Sequence, residues 1–193
     1  GFTLQYEMSY TNILNMLDMS GITIRASERG EDEPIIMAGG PCAYNPEPLY
    51  DIVDFFEIGE GEEMMNDVLE VYARHKANGK VNKKEFLREI SKIGGIYVPS
   101  LYDVTYNEDG TIKEFKPKYE DVPAKIKKRI VNDFDSVAFP DEMIVPYTEI
   151  VHDRVVLETA RGCTNGCRFC QAGMIYRPVR EKTTNTLLEQ ARR

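Results

Sequence analysis

The chain has 193 residues, of which 42% are apolar and 29% are charged, a composition that supports a folded core beneath an ordinary charged surface. Its formal net charge of -8 argues against nucleic acid as a partner, because bulk electrostatics would oppose binding to phosphate. No apolar run approaches the length of a membrane span, and the few cysteines are clustered, so we expect a cytoplasmic protein.

Residues 1–77 alternate short apolar strands with helical stretches. The run GFTLQY precedes a helical pattern from about Ser9 to Gly21, and PIIMA and DFFEI are continuous apolar runs of the kind that form buried strands. A longer helical pattern then extends to about Ala77. Strand and helix in this alternation predict an α/β fold with a parallel sheet and right-handed crossovers.

Glycine-rich turns follow two of these strands, GGP at 39–41 and GEGE at 59–62. Such glycines allow the backbone to approach a ligand at the carboxyl ends of parallel strands, although tight strand-to-helix turns need glycine even without a ligand. Together with Thr3 in the first strand, these turns resemble the second half of a cobalamin-binding domain of the kind found before radical S-adenosylmethionine (radical SAM) barrels.

That resemblance implies a partial, Rossmann-like cobalamin-binding-type domain and leaves cobalamin open as a cofactor. The residues that it places beside the cofactor are Gly39, Gly40, Gly59 and Gly61. The histidine-bearing loop that ligates cobalt in that family would lie before Gly1, so we expect this chain to bind cobalamin weakly or not at all.

The middle of the chain predicts an added helix and a β-hairpin. NKKEFLREISKIGG has the period of an amphipathic helix, and the strand-like runs on either side of Asn107–Gly110 meet at an Asp-Gly turn, a strong hairpin pattern. These elements complete a first domain over 1–118. Prolines and a basic helical turn over 119–152 predict a linker.

Three of the four cysteines lie within RGCTNGCRFC, where Cys163, Cys167 and Cys170 have a C-x3-C-x2-C spacing directly after the apolar run VVLETA. Thiolates this close repel one another unless a metal neutralises them, so a metal or iron–sulfur site is the first interpretation. The alternative is a non-catalytic zinc-binding module with His152 or Cys42 as fourth ligand, although neither has a usual ligand spacing from the other three.

The aromatic Phe169 before the last cysteine, and Arg161-Gly162 before the first, complete a pattern that resembles the signature of the radical SAM enzymes. The resemblance implies that the three cysteines hold three irons of a 4Fe-4S cluster, and that the fourth iron is open for the amino and carboxylate groups of S-adenosylmethionine. It places Phe169 against the adenine of the cofactor.

The same resemblance implies that S-adenosylmethionine is cleaved reductively to a 5'-deoxyadenosyl radical. This radical would abstract hydrogen from a substrate of unknown identity. The electron donor for the full-length enzyme would be a flavodoxin or ferredoxin type.

The last segment, 153–193, then corresponds to the first βα unit of a radical SAM barrel. VVLETA would be its first strand, with the cysteine loop at the strand's carboxyl end and a helix from about Thr183. The sequence opens on Gly1 within a strand pattern and stops at Arg193 within a helical one, so we expect an internal fragment. We expect it to be inactive by itself, with the region after Asp153 packed on the first domain or on another copy of the chain.

Overall fold

The computed structural model describes residues 1–77, 79–140, 144, 146–151 and 154–192. The chain forms two compact units, Gly1–Ile130 and Val131–Arg193. The subdivision expected from the sequence, with a linker over 119–152, remains a prediction, and positions 141–143, 145 and 152–153 lie outside the described residues.

The first unit is built on a four-stranded mixed sheet, which confirms the α/β class. Its strands are β1 (Phe2–Thr3), β2 (Met37–Gly39), β3 (Phe55–Glu57) and β4 (Ile96–Tyr97), in the order β1-β2-β3-β4. β1, β2 and β3 are parallel, and β4 is antiparallel to β3. The antiparallel strand departs from the predicted parallel sheet, because two helices rather than one connect β3 to β4 and the second one reverses the chain again.

The helices of this unit lie close to where the sequence periods predict them. They are α1 (Tyr10–Met19), α2 (Gly61–Ala77) and α3 (Lys83–Ile90). The side-chain oxygen of Asn82 caps α3 by accepting from the amides of Lys84 and Glu85 at 3.1 and 3.2 Å, a contact that stabilises a helix by about 1 kcal/mol. The apolar faces of these helices are buried, including Ile13 and Leu17 of α1 and Phe86 of α3.

A buried ion pair anchors the loop between α1 and β2 to the start of β3. The guanidinium of Arg29 lies 2.6 Å from the carboxylate of Asp54, and both side chains are almost fully buried. Arg29 also donates to the carbonyls of Thr23, Ile24 and Ile52, and Asp54 accepts from Lys83 and the Ile36 amide. Because both charges are so fully partnered, their burial is compatible with a stable core.

The predicted hairpin forms from β5 (Tyr102–Tyr106) and β6 (Ile112–Pro117), which pair antiparallel. The turn between them closes with a 2.8 Å bond from the Asn107 amide to the Thr111 carbonyl. The rings of Tyr97, Tyr102 and Phe115 pack together on this ribbon. These three aromatic residues therefore serve the packing of the first unit.

The second unit has short elements: β7 (Ala160–Arg161), α4 (Ala172–Ile175), β8 (Arg180–Glu181) and α5 (Thr184–Arg192). α5 matches the predicted helix. The predicted strand over VVLETA does not form, because only its last residue, Ala160, pairs with another strand, and Val155 and Val156 are 68% and 67% exposed. An apolar strand is stable only when neighbouring strands satisfy its backbone. Among the described residues, no helix has the length and apolar character needed to span a membrane.

Candidate functional site

The cysteine loop lies between β7 and α4 in the second unit. Its three cysteines are free thiols: Cys167 is exposed, and Cys163 and Cys170 are partly exposed. The Cys170 amide donates to the Cys167 carbonyl at 3.1 Å, which folds the C-x2-C half of the loop into a turn.

Within the described ranges, no group of three or more His, Cys, Asp or Glu side chains is arranged to hold a metal ion. The structure therefore places the predicted ligands on one loop without arranging all three sulfurs as a ligand group. The donor set nonetheless fits an iron–sulfur cluster, since three free thiols on one accessible loop are the ligands that such clusters use. Phe169, beside Cys170, is 93% exposed, so its ring is available to a planar partner.

The position of Cys42 argues against the alternative of a zinc-binding module. That side chain is 3% exposed and belongs to the core of the first unit, while its amide donates to the Leu4 carbonyl at 2.9 Å. Burial, reinforced by the nearby charge of Glu7, raises the pKa of the Cys42 thiol, which disfavours the thiolate that a metal needs. His152, the other proposed ligand, lies outside the described residues.

The predicted glycines of the first unit lie at the carboxyl edge of the parallel strands. Gly40 has φ +101°, and a Cβ added there would lie 3.0 Å from the Leu4 carbonyl oxygen. The Leu4 amide in turn donates to the Gly39 carbonyl at 2.7 Å. The first glycine turn thus provides the clearance that lets β2 leave the sheet against the end of β1.

The second glycine turn is covered by a later segment of the chain. Gly59 has φ +119° and forms a parallel bridge with Arg129, whose backbone nitrogen lies 2.5 Å from where a Gly59 Cβ would be. The Glu60 amide donates to the Arg129 carbonyl at 3.1 Å. The side chain of Arg129 also pairs with Glu63 and Asp67 of α2. Gly59 therefore does not present the open backbone that a bound corrinoid would need, and the residues present do not fit cobalamin at this turn.

Glu57, at the end of β3, is a feature that the sequence reading missed. It is 6% exposed, and its Oε1 has no hydrogen-bond partner in the described part of the chain. Its carboxyl group lies beside Gly39 and Gly61, where added Cβ atoms would be 3.9 and 3.7 Å from Oε2. Burial raises the pKa of Glu57 to about 7. An acid inside the apolar run DFFEI is the pattern that could have identified it.

The geometry defines a two-unit protein in which an α/β unit with parallel strands accompanies a small unit that carries a three-cysteine loop. The family described as radical SAM proteins, N-terminal, matches residues 1–99. The chain belongs to this family, in agreement with the resemblance drawn from the cysteine loop.

A distant relative also matches almost the whole chain. An uncharacterized protein of Methanocaldococcus jannaschii is 28% identical over 187 residues, which is 96% of this chain and 32% of that protein. The chain thus spans about a third of the relative's length. No solved structure matches the chain significantly.

Proposed function

We propose that the whole protein is a radical SAM enzyme and that Cys163, Cys167 and Cys170 hold its 4Fe-4S cluster. The observation that carries the proposal is the C-x3-C-x2-C loop of free thiols, in a chain whose first 99 residues belong to the radical SAM N-terminal family. When bound, such a cluster supplies one electron for the reductive cleavage of S-adenosylmethionine. A one-electron donor of the flavodoxin or ferredoxin class belongs to the same proposal.

The residues of this chain would contribute ligation and orientation. The three sulfurs lie on an accessible loop and would be the ligands of the cluster. The exposed ring of Phe169 would stack on the adenine of the cofactor, since an aromatic face beside a ligand loop favours a planar partner. Cobalamin has no role in this proposal, because the chain's own backbone fills the clearance at Gly59.

Anaerobic reconstitution of the chain with iron and sulfide tests the proposal. We expect visible charge-transfer absorbance and an electron paramagnetic resonance signal that changes when S-adenosylmethionine is added. Cys167→Ala should lose the cluster, because no other thiol of the loop can replace it, and Cys42→Ala should retain it. Stoichiometric zinc without either spectrum would favour the metal-binding module instead, and iron that survives in Cys167→Ala but falls in Cys42→Ala would refute the ligand assignment.

A further inference from the structure

Two short strands meet at the base of the cysteine loop. β7 leads into Cys163, and β8 follows the loop. Their paired residues are Ala160 with Glu181 and Arg161 with Arg180. One residue beyond β8, the Lys182 amide donates to the Thr159 carbonyl at 2.9 Å. The two ends of the loop over 163–179 are therefore joined by the hydrogen bonds between β7 and β8.

Next to the paired strands, Gly162 lets the segment that enters the loop contact the segment that leaves it. Its φ is +98°, a backbone conformation that favours glycine. A Cβ added there would lie 2.6 Å from the Pro178 oxygen, 2.7 Å from the Tyr176 oxygen and 2.9 Å from the Val179 Cα. All three are backbone atoms, so no side-chain rotation could make room. The backbone at Gly162 therefore packs directly against the backbone over 176–179.

Arg161, the residue before this contact, is held by an ion pair and a ring contact. Its guanidinium donates to both carboxylate oxygens of Glu158, at 2.8 and 2.9 Å, and lies 5.0 Å from the centre of the buried Phe134 ring. A bidentate ion pair and a ring contact together hold the orientation of a guanidinium more strictly than either does alone. β7 therefore enters the loop in a defined direction.

We propose that Arg161, Gly162 and the backbone over 176–179, together called the loop clasp, position Cys163 and the two later cysteines for binding a metal cluster. This inference rests on the proposed function. Three thiolates must come within bonding distance of one cluster, and a loop whose ends are held together loses less conformational freedom when they do. Arg161 and Gly162 act through the loop, so they are positioning residues and not ligands.

The test compares Gly162→Ala with two variants of the same loop. Gly166→Ala is the matched control, because an added Cβ there meets no atom of the described residues within 4 Å and the φ of Gly166 is not positive. Cys167→Ala removes a proposed ligand without touching the clasp. Two quantities are measured: hydrogen exchange of the Lys182 amide in metal-free protein, and iron bound per chain after anaerobic reconstitution.

We expect Gly162→Ala to speed exchange of the Lys182 amide by about ten-fold or more, since alanine is strained at this φ and collides with backbone. The same variant should lose most of its iron. Gly166→Ala should exchange like the wild type, and Cys167→Ala should lose iron with normal exchange. If Gly162→Ala does not fold, Arg161→Gln should show smaller changes in the same direction. This variant loses the bidentate ion pair with Glu158 and the cation–π contact with Phe134.

Each other result overturns the proposal. Full iron uptake by Gly162→Ala with fast exchange would make the clasp purely structural, and lost iron with normal exchange would mean that Gly162 acts in another way. A wild type that takes up no iron would contradict the proposed cluster ligation by this chain, and the positioning role with it. The exchange data would still show whether the clasp itself exists, so the two failures remain distinguishable.

Discussion

Replacing Glu57 by glutamine is expected to remove a pH-dependent loss of stability from the first unit. The wild-type carboxyl is buried at the end of β3, and burial raises its pKa from 4.5 to about 7. Because one pKa unit corresponds to about 1.4 kcal/mol, ionising Glu57 in the folded state costs about 3 kcal/mol more than in the unfolded chain. Glutamine has nearly the same shape and does not ionise.

The sign follows from the two protonation equilibria. Below the unfolded pKa of 4.5, Glu57 is protonated in both states and imposes no penalty. Between 4.5 and about 7, the unfolded chain releases the proton while the folded chain keeps it, so the free energy of unfolding falls as pH rises. Above about 7, the folded state is ionised too and the loss is complete.

Urea unfolding followed by circular dichroism, at several pH values from 5 to 8, measures the effect. The free energy of unfolding of Glu57→Gln should rise relative to that of the wild type as the pH increases, by up to about 3 kcal/mol over the whole window. Glu108→Gln, at an exposed position of the hairpin turn, should follow the wild-type profile. A Glu57→Gln difference that stays constant from pH 5 to 8 would show that Glu57 is ionised at low cost, which would refute the reasoning.

Three further predictions concern the first unit. Gly59→Ala should lower the free energy of unfolding of this unit by about 2 kcal/mol or more, through backbone strain and collision with Arg129. The control Gly94→Ala should change that free energy little, because its added Cβ meets no described atom within 4 Å. Equal urea midpoints for the two variants would contradict this prediction. Arg29→Ala should cost about 3–5 kcal/mol, because Asp54 would lose its closest buried cation, and a loss below 1 kcal/mol would be inconsistent with the ion pair. Calorimetry with hydroxocobalamin should detect no micromolar binding, and such binding would show that the Gly59 turn opens.

The regular elements of the first unit were predictable because their information is local. The helical period placed Ile13 and Leu17 on one buried face, and the Asp-Gly turn fixed the hairpin after Asn107. The antiparallel strand β4 was not predictable in this way, since its direction depends on how the chain returns after α3. The ion pair of Arg29 with Asp54 was equally hidden, because it joins residues on different elements.

The cysteine loop shows the same division within the candidate site. The residue types and spacing of Cys163, Cys167 and Cys170 indicate their chemistry, because few other uses require three thiols so close together. Spacing carries no information on whether the sulfurs face one another, and in the described structure they do not form a ligand group. Strand formation by VVLETA also failed as a prediction, since a strand depends on partners that its own sequence does not specify.

Gly59 and Gly162 show what a glycine in a sequence does and does not indicate. Both have positive φ, and at both an added Cβ would collide with backbone atoms of the same chain. A glycine pattern therefore predicts that something approaches the backbone closely, but its identity depends on contacts that are distant in sequence. At Gly59 the approaching group is the Arg129 segment, which argues against a ligand there. At Gly162 it is the returning arm of the cysteine loop, which makes that glycine part of the proposed metal site without contact to any metal.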